Sequence, residues 1–123
     1  MRPPAPVSGR THIHRTVSDM KASIDFYTRM LGFYYDHGVR AVAWLTREGT
    51  LLTLSADEVQ VDRGNYFGIA MNSAEELDAL YKWLYERRQR LSGPPGTTQN
   101  FAHFFIYDPD DYPVIFSWQR MDS

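Results

Sequence analysis

Two histidines stand two positions apart in "THIHRTVSD", at His12 and His14. On a strand, residues two apart point to the same face. Imidazole is the commonest protein ligand for transition metals, so the pair raises metal chemistry first. A Zn, Fe or Ni centre needs at least three first-shell nitrogen, oxygen or sulfur donors. Side chains two apart on a strand are rooted about 7 Å from each other, so both reach one metal only with a further donor from elsewhere. The chain has no cysteine and four histidines. Among the latter, His103 lies in the strand-like run "FAHFFIY" and is the candidate for that extra donor. Asp108 and Asp110 are a second pair of acid–base type, but they sit in "DPDD", whose proline and aspartates are turn chemistry.

The elements that position these residues follow from periodicity. "THIHRTV" reads as a strand, and Ser18 or Asp19 caps a helix on which Met20, Ile24, Tyr27 and Leu31 share a face. Gly32 stops that helix. The runs "FYYDH", "AVAWLT" and "LLTLSA" read as strands, with a tight turn in "REGT". After the polar connector "DEVQVDRGN", the pattern starts again. "YFGIAM" is a strand, and Ser73 with Glu76 forms a capping box ahead of a helix carrying Leu77, Leu80, Leu84 and Leu91. "ERRQR" falls late in this helix, where cations complement the macrodipole. "SGPPGTTQN" is a Gly/Pro loop, and "FAHFFIY" and "PVIFSW" are strands. His12 aligns with Tyr66 and Val17 with Met71, so the order strand–helix–strands occurs twice. The fold class is α+β: paired modules at 11–57 and 65–119 in one domain, whose curved sheets form a cleft with the helices outside.

Composition bounds the function. The chain has 123 residues, a net charge of −2 with both signs interspersed, and no cysteine. A domain of this size buries roughly two-thirds of its unfolded surface and needs no disulfide or thiolate metal site as a staple. No basic cluster marks a nucleic-acid or membrane-surface partner, and no apolar run approaches the ~18 residues of a membrane span. Residues 1–10, "MRPPAPVSGR", read as a Pro-rich mobile tail without a secretory h-region. The expected setting is the cytoplasm. Aromatic residues make up 15% of the chain, which points to a pocket for a flat organic ligand.

"HIHRTVSDMKASIDFYTRMLGF", with Asp19, Ser23, "FY" and "LGF", resembles the opening of the vicinal-oxygen-chelate superfamily, which includes glyoxalase I, extradiol dioxygenases and the fosfomycin- and bleomycin-resistance proteins. "YFGIAMNSAEELDAL" and "FFIYDPDDYPVIFSW" resemble its second module, so the resemblance spans about residues 11–119. It implies paired βαβββ modules and a homodimer. In metal-dependent members, ligands come from the two first strands and from a carboxylate on the last strand of each module. His12 matches the first position. Tyr66 stands where the family has the second histidine. Ile115, four residues after Asp111 at the turn, and Thr53, four after Gly49, stand at the carboxylate positions. One ligand of four survives, which implies a member without the metal centre and no cofactor.

The cleft residues expected on this reading are His12, His14, Tyr35, Trp44, Thr53, Tyr66, Ile115 and Trp118. His12 is a hydrogen-bond donor to a ligand, a general base beside Tyr66, or a relic held by a neighbour. His14 lies deeper, where a satisfied core histidine is the plainer reading. Core packing accounts for Trp44, Tyr35 or Trp118 taken singly as well as a stacking wall does. Arg15 alternates with Ile13 and Val17 onto the helix side of its strand, an odd place for a guanidinium. The leading expectation is metal-independent sequestration or carriage of a hydrophobic or aromatic small molecule, as in the bleomycin-resistance type. The alternative is an enzyme of the lyase, isomerase or dioxygenase kind. It would be either metal-free, with His12 and Tyr66 as acid–base catalytic pair, or built on an atypical metal site.

Overall fold

The computed structural model describes residues 11–59, 66–98 and 100–120. The Pro-rich start and most of the polar connector therefore lie outside the described residues. The chain divides into two compact units, residues 1–59 and 60–123. Each has the order strand, helix, three strands.

In the first unit, β1 (Thr11–Val17) leads to α1 (Met20–Arg29), followed by β2 (Tyr34–Val39), β3 (Val42–Arg47) and β4 (Thr50–Ala56). Asp19 is the N-cap, accepting a hydrogen bond from the Ala22 amide at 3.1 Å. The helix buries Ser23, Phe26 and Tyr27, with Leu31 and Phe33 behind it. Gly32 follows the helix at φ +76°, and the Arg47 Nε–H caps the Leu31 carbonyl at 3.1 Å. β3 and β4 are joined by Glu48 and Gly49, both with positive φ, the two-residue turn whose twist suits a hairpin. The sheet order is β1-β4-β3-β2, with β1 and β4 parallel. Alternation sends Leu52, Leu54, Ala43, Leu45 and Val17 to the helix side, where all are buried.

In the second unit, β5 (Phe67–Ala70) leads to α2 (Ala74–Glu86), then β6 (Gly96–Thr97), β7 (Phe101–Tyr107) and β8 (Pro113–Gln119). The order β5-β8-β7-β6 repeats that of the first sheet. The Ser73 hydroxyl caps α2 through the Glu76 amide at 3.1 Å. Leu77 and Leu84 of α2 are buried with Ala102, Phe104, Ile106, Val114 and Phe116 of the sheet. Phe104 is 1% exposed, stacks on Phe116 at 5.4 Å and meets the Tyr81 ring edge-on at 5.3 Å. Phe104→Ala is expected to cost about 3–5 kcal/mol, read as a lower urea midpoint at unchanged slope.

Two expectations for this unit are corrected. The helix stops at Glu86, the first residue of "ERRQR", so Leu91 and the arginines at 87, 88 and 90 lie beyond it. Arg88 takes the left-handed conformation (φ +57°), its amide bonds the Tyr85 carbonyl, and the Gln89 amide bonds that of Leu84. This is a Schellman-type end with arginine where glycine is usual. Leu91 instead bridges Ile106. The Gly/Pro loop, in turn, contains β6, which pairs Gly96 with His103 and Thr97 with Ala102 and supplies the module's fourth strand.

Candidate functional site

Each sheet has one face against its helix and one free of it, and the candidate residues sort onto these faces by register. In the first unit His12, His14, Thr53 and Trp44 share the helix-free face, because His14 pairs with Thr53 and Thr53 with Trp44. His12 Nε2 lies 2.8 Å from Thr53 Oγ1, and His14 Nε2 lies 2.9 Å from Ser55 Oγ. Both imidazoles are exposed, so His14 is a surface residue and not a core histidine. Beyond Trp44 comes His37, paired with it in the ladder and stacked on its ring at 4.4 Å and 12°. His37 Nδ1 is 2.7 Å from Asp36 Oδ2. This stack escapes the reading of "FYYDH" because an extra residue interrupts the alternation there.

That interruption corrects the placement of Tyr35. The β2–β3 register slips between Tyr35 and His37, so Tyr35 pairs with buried Leu45 and falls on the helix side of the sheet. Its hydroxyl sits over Gly38, where a Cβ would meet it at 2.5 Å. Arg15 is where alternation puts it, on the helix side and 4% exposed, with its Nη1 donating to the His14 carbonyl at 3.2 Å.

In the second unit the helix-free face carries Phe101, His103 and Phe105 from β7, Ile115 and Ser117 from β8, and Gly68 from β5. Phe105 pairs with Ile115, and Ile115 with Gly68. The Tyr66 ring, half of whose surface is exposed, meets Phe105 edge-on at 5.6 Å. Phe101 and His103 have ring centroids 5.0 Å apart, and His103 and Phe105 are 6.1 Å apart and near perpendicular. Four rings therefore run in a row, with Ile115 beside them. His103 Nδ1 is sealed from solvent without a hydrogen-bond partner. Trp118 is not part of this face. It pairs with buried Ala102 and lies on the helix side with Phe116.

The alternation of "FAHFFIY" was the signal for Phe101 and Phe105, since Ala102, Phe104 and Ile106 take the buried face. Glycine at 68 keeps the surface beside Ile115 low: a Cβ there would meet the Ile115 Cγ2 at 2.8 Å. Asp108, one of the two aspartates of acid–base type, is 0% exposed. Its Oδ1 accepts from the Asp110 and Tyr112 amides at 2.9 Å each, so it organises the β7–β8 turn.

These donor sets do not fit a metal ion. Nε2 of His12 is engaged by a threonine hydroxyl, and Tyr66 and Ile115 stand within an aromatic and aliphatic surface. Among the described residues no group of three His, Cys, Asp or Glu side chains could hold one.

Comparison with known proteins bears on the whole chain. Residues 9–116 match the profile of the Glyoxalase/Bleomycin resistance protein/Dioxygenase superfamily. A solved structure of a possible glyoxalase from Bacillus cereus is 25% identical, with TM-score 0.77, over 89% of this chain and 98% of that one. A genomically encoded fosfomycin resistance protein from Listeria monocytogenes superposes with TM-score 0.81 at 16% identity, over 94% of this chain and 96% of that one. A lactoylglutathione lyase from Agrobacterium tumefaciens gives 0.78 at 15%, over 93% and 96%. No curated protein sequence matches the chain. With its duplicated βαβββ order and a family match over nearly all of its length, this chain belongs to the glyoxalase/bleomycin resistance protein/dioxygenase superfamily.

Proposed function

We propose that this protein binds a flat, hydrophobic or aromatic small molecule without a metal ion, as a sequestering or carrier protein, through the helix-free faces of its sheets. The observation that carries the reading is the row Tyr66–Phe105–His103–Phe101 beside Ile115. It occupies the face on which the family resemblance puts two metal donors, at 66 and 115. Such a surface offers ring faces and edges for stacking and little that ligates a cation. Taken by itself, the first sheet offers His12 and Thr53 as a hydroxyl–imidazole pair able to hold a polar group. A homodimer in the cytoplasm goes with this reading, as does a role in resistance to an aromatic antibiotic. Among the described residues no helix is long and apolar enough to cross a membrane.

Two measurements test it. Elemental mass spectrometry on protein incubated with Zn, Fe(II), Ni, Mn and Co is expected to find no stoichiometric metal, in wild type and in His12→Ala alike. A stoichiometric metal lost in His12→Ala overturns the reading in favour of a chelate-type enzyme. A thermal-shift screen of polycyclic aromatic compounds is expected to give hits. At a hundred times Kd a ligand adds about 2.7 kcal/mol to the native state, a shift of several degrees. Turnover of a hit by metal-free protein, lost in His12→Ala, would make the protein an enzyme and not a carrier.

A further inference from the structure

His103 interrupts the phenylalanines of the aromatic row, with the Phe101 ring at 5.0 Å on one side and that of Phe105 at 6.1 Å on the other. Its two ring nitrogens are not equivalent. Nδ1, next to the carbon that joins the ring to the chain, is sealed from solvent and has no hydrogen-bond partner. Nε2, at the far end of the ring, is not sealed in this way, and the residue as a whole is partly exposed. A neutral imidazole carries one proton, and the nitrogen without it is an acceptor. Among buried backbone groups, an N–H left without an acceptor is rarer than an acceptor left without a donor. The same preference applied to this ring assigns the proton to Nε2. His103 thus lodges a lone pair in the protein and presents an N–H donor on the helix-free face.

The surroundings determine which acceptor suits that donor. Ser117 stands directly across the ladder from His103, on the same face and partly exposed, so a hydroxyl lies beside the imidazole. Among the described residues that alternation puts on this face of the second sheet, none is Asp, Glu, Lys or Arg. A carboxylate, phosphate or phenolate placed there would give up its hydration without gaining a counter-charge. A carbonyl oxygen is neutral and has two lone pairs, one for the imidazole N–H and one for the serine O–H.

We infer that the aromatic row selects flat ligands that carry a carbonyl group, as aryl ketones and quinones do, with the His103 Nε2–H donating to the carbonyl oxygen between Phe101 and Phe105. This rests on the proposed binding of a flat aromatic molecule by this face, and it names the polar group which that molecule presents. Selectivity comes from the asymmetry of hydrogen bonding. A hydrocarbon lying over His103 strands its N–H, whereas a ketone satisfies it.

Pairs of compounds that differ only by C=O against CH2 test it: 1-indanone with indane, and 9-fluorenone with fluorene. Amide-shift titration of isotope-labelled protein gives affinity and location together. Each ketone is expected to bind about fivefold more tightly than its hydrocarbon, the factor of one net hydrogen bond, and to shift the amides of β7 and β8. His103→Phe keeps a ring in the row and removes the donor. In that variant the ratio should fall to about one, while the affinity for the hydrocarbon changes less than about twofold. The variant also removes the sealed, unpaired nitrogen, so its urea midpoint should be no lower than that of wild type, which separates a lost donor from a lost fold. Wild-type protein alone supplies an independent readout: at mildly alkaline pH, long-range proton–nitrogen correlation of the His103 ring should place the proton on Nε2. Equal affinities within each pair, a ratio that survives His103→Phe, or a proton on Nδ1 overturns the carbonyl preference and leaves aromatic binding standing. No amide shift with any of the four compounds overturns both together.

Discussion

Asp108→Ala is expected to lower stability by about 2–4 kcal/mol, and Asp108→Asn by about 1 kcal/mol. The carboxylate is 0% exposed, and its Oδ1 receives the amides of Asp110 and Tyr112. Tyr112 is itself buried, so water cannot replace the lost acceptor for its N–H. The asymmetry of hydrogen-bond energetics then applies: the stranded donor carries its full desolvation penalty, beyond the modest net worth of the bond. The same turn holds Asp111 at φ +71° and places its carboxylate on Arg90, whose Nη2 donates to the Asp108 carbonyl at 2.7 Å. Removing the Asx-type bonds therefore loosens the one connection that sets the β7–β8 register. Asparagine keeps a neutral acceptor at Oδ1, hence the smaller loss. For a domain of this size the alanine variant should melt roughly 10 °C lower. Equal losses for the two variants by chemical denaturation would mean that the acceptor is not what holds the turn.

Much of this architecture is written in local sequence. Asp19 and Ser73 announce their helices because a short oxygen-bearing side chain answers an unpaired amide in the first turn. The alternation of "THIHRTV" and "FAHFFIY" fixes which residues meet the helices, since a period of two leaves no freedom once one face is buried. It also explains Arg15, whose parity with Val17 compels it inward. The same rule separates Ile115 from Trp118, three apart on β8, so placing both on one surface conflicted with the strand's own geometry. Other features depend on pairing partners that no local pattern carries. Tyr35 changes face because Asp36 is an extra residue against β3, and a bulge of this kind needs no glycine or proline to mark it. Arg88 ends its helix in a conformation that sequence reserves for glycine. β6 is two residues long and exists only because β7 offers it a partner. Of the candidate surface, His12, His14, Trp44 and Thr53 were legible as one face. The stacking of His37 on Trp44 was not, because it lies beyond the bulge.

Gly68→Leu should weaken binding of any aromatic ligand found by screening at least tenfold, while leaving the fold intact. Gly68 lies on the edge strand β5 of the helix-free face and pairs with Ile115, which in turn pairs with Phe105. Its φ lies outside the left-handed region, so a side chain carries no backbone strain there. What a Cβ meets, at 2.8 Å, is the Ile115 Cγ2, a methyl on a β-branched carbon, so Ile115 must change its χ1 or the edge strand must shift to admit it. The substitution adds a branched group to the surface on which a flat ring would lie, at a stability cost of about 1–3 kcal/mol. Phe105→Ala acts oppositely, removing the ring that links Tyr66 to His103, and should cost about 1–3 kcal/mol of binding, a loss of five- to a hundredfold. His12→Ala leaves that row untouched and should change affinity less than tenfold, by the orienting hydrogen bond alone. The order of effects therefore discriminates between chemistries. A ligand held by aromatic burial is most sensitive to Gly68 and Phe105, whereas one held through an imidazole, directly or by a metal, is most sensitive to His12. Calorimetric titration of the three variants reads that order directly, and a His12→Ala loss exceeding the other two would move the binding energy from the second sheet to the first.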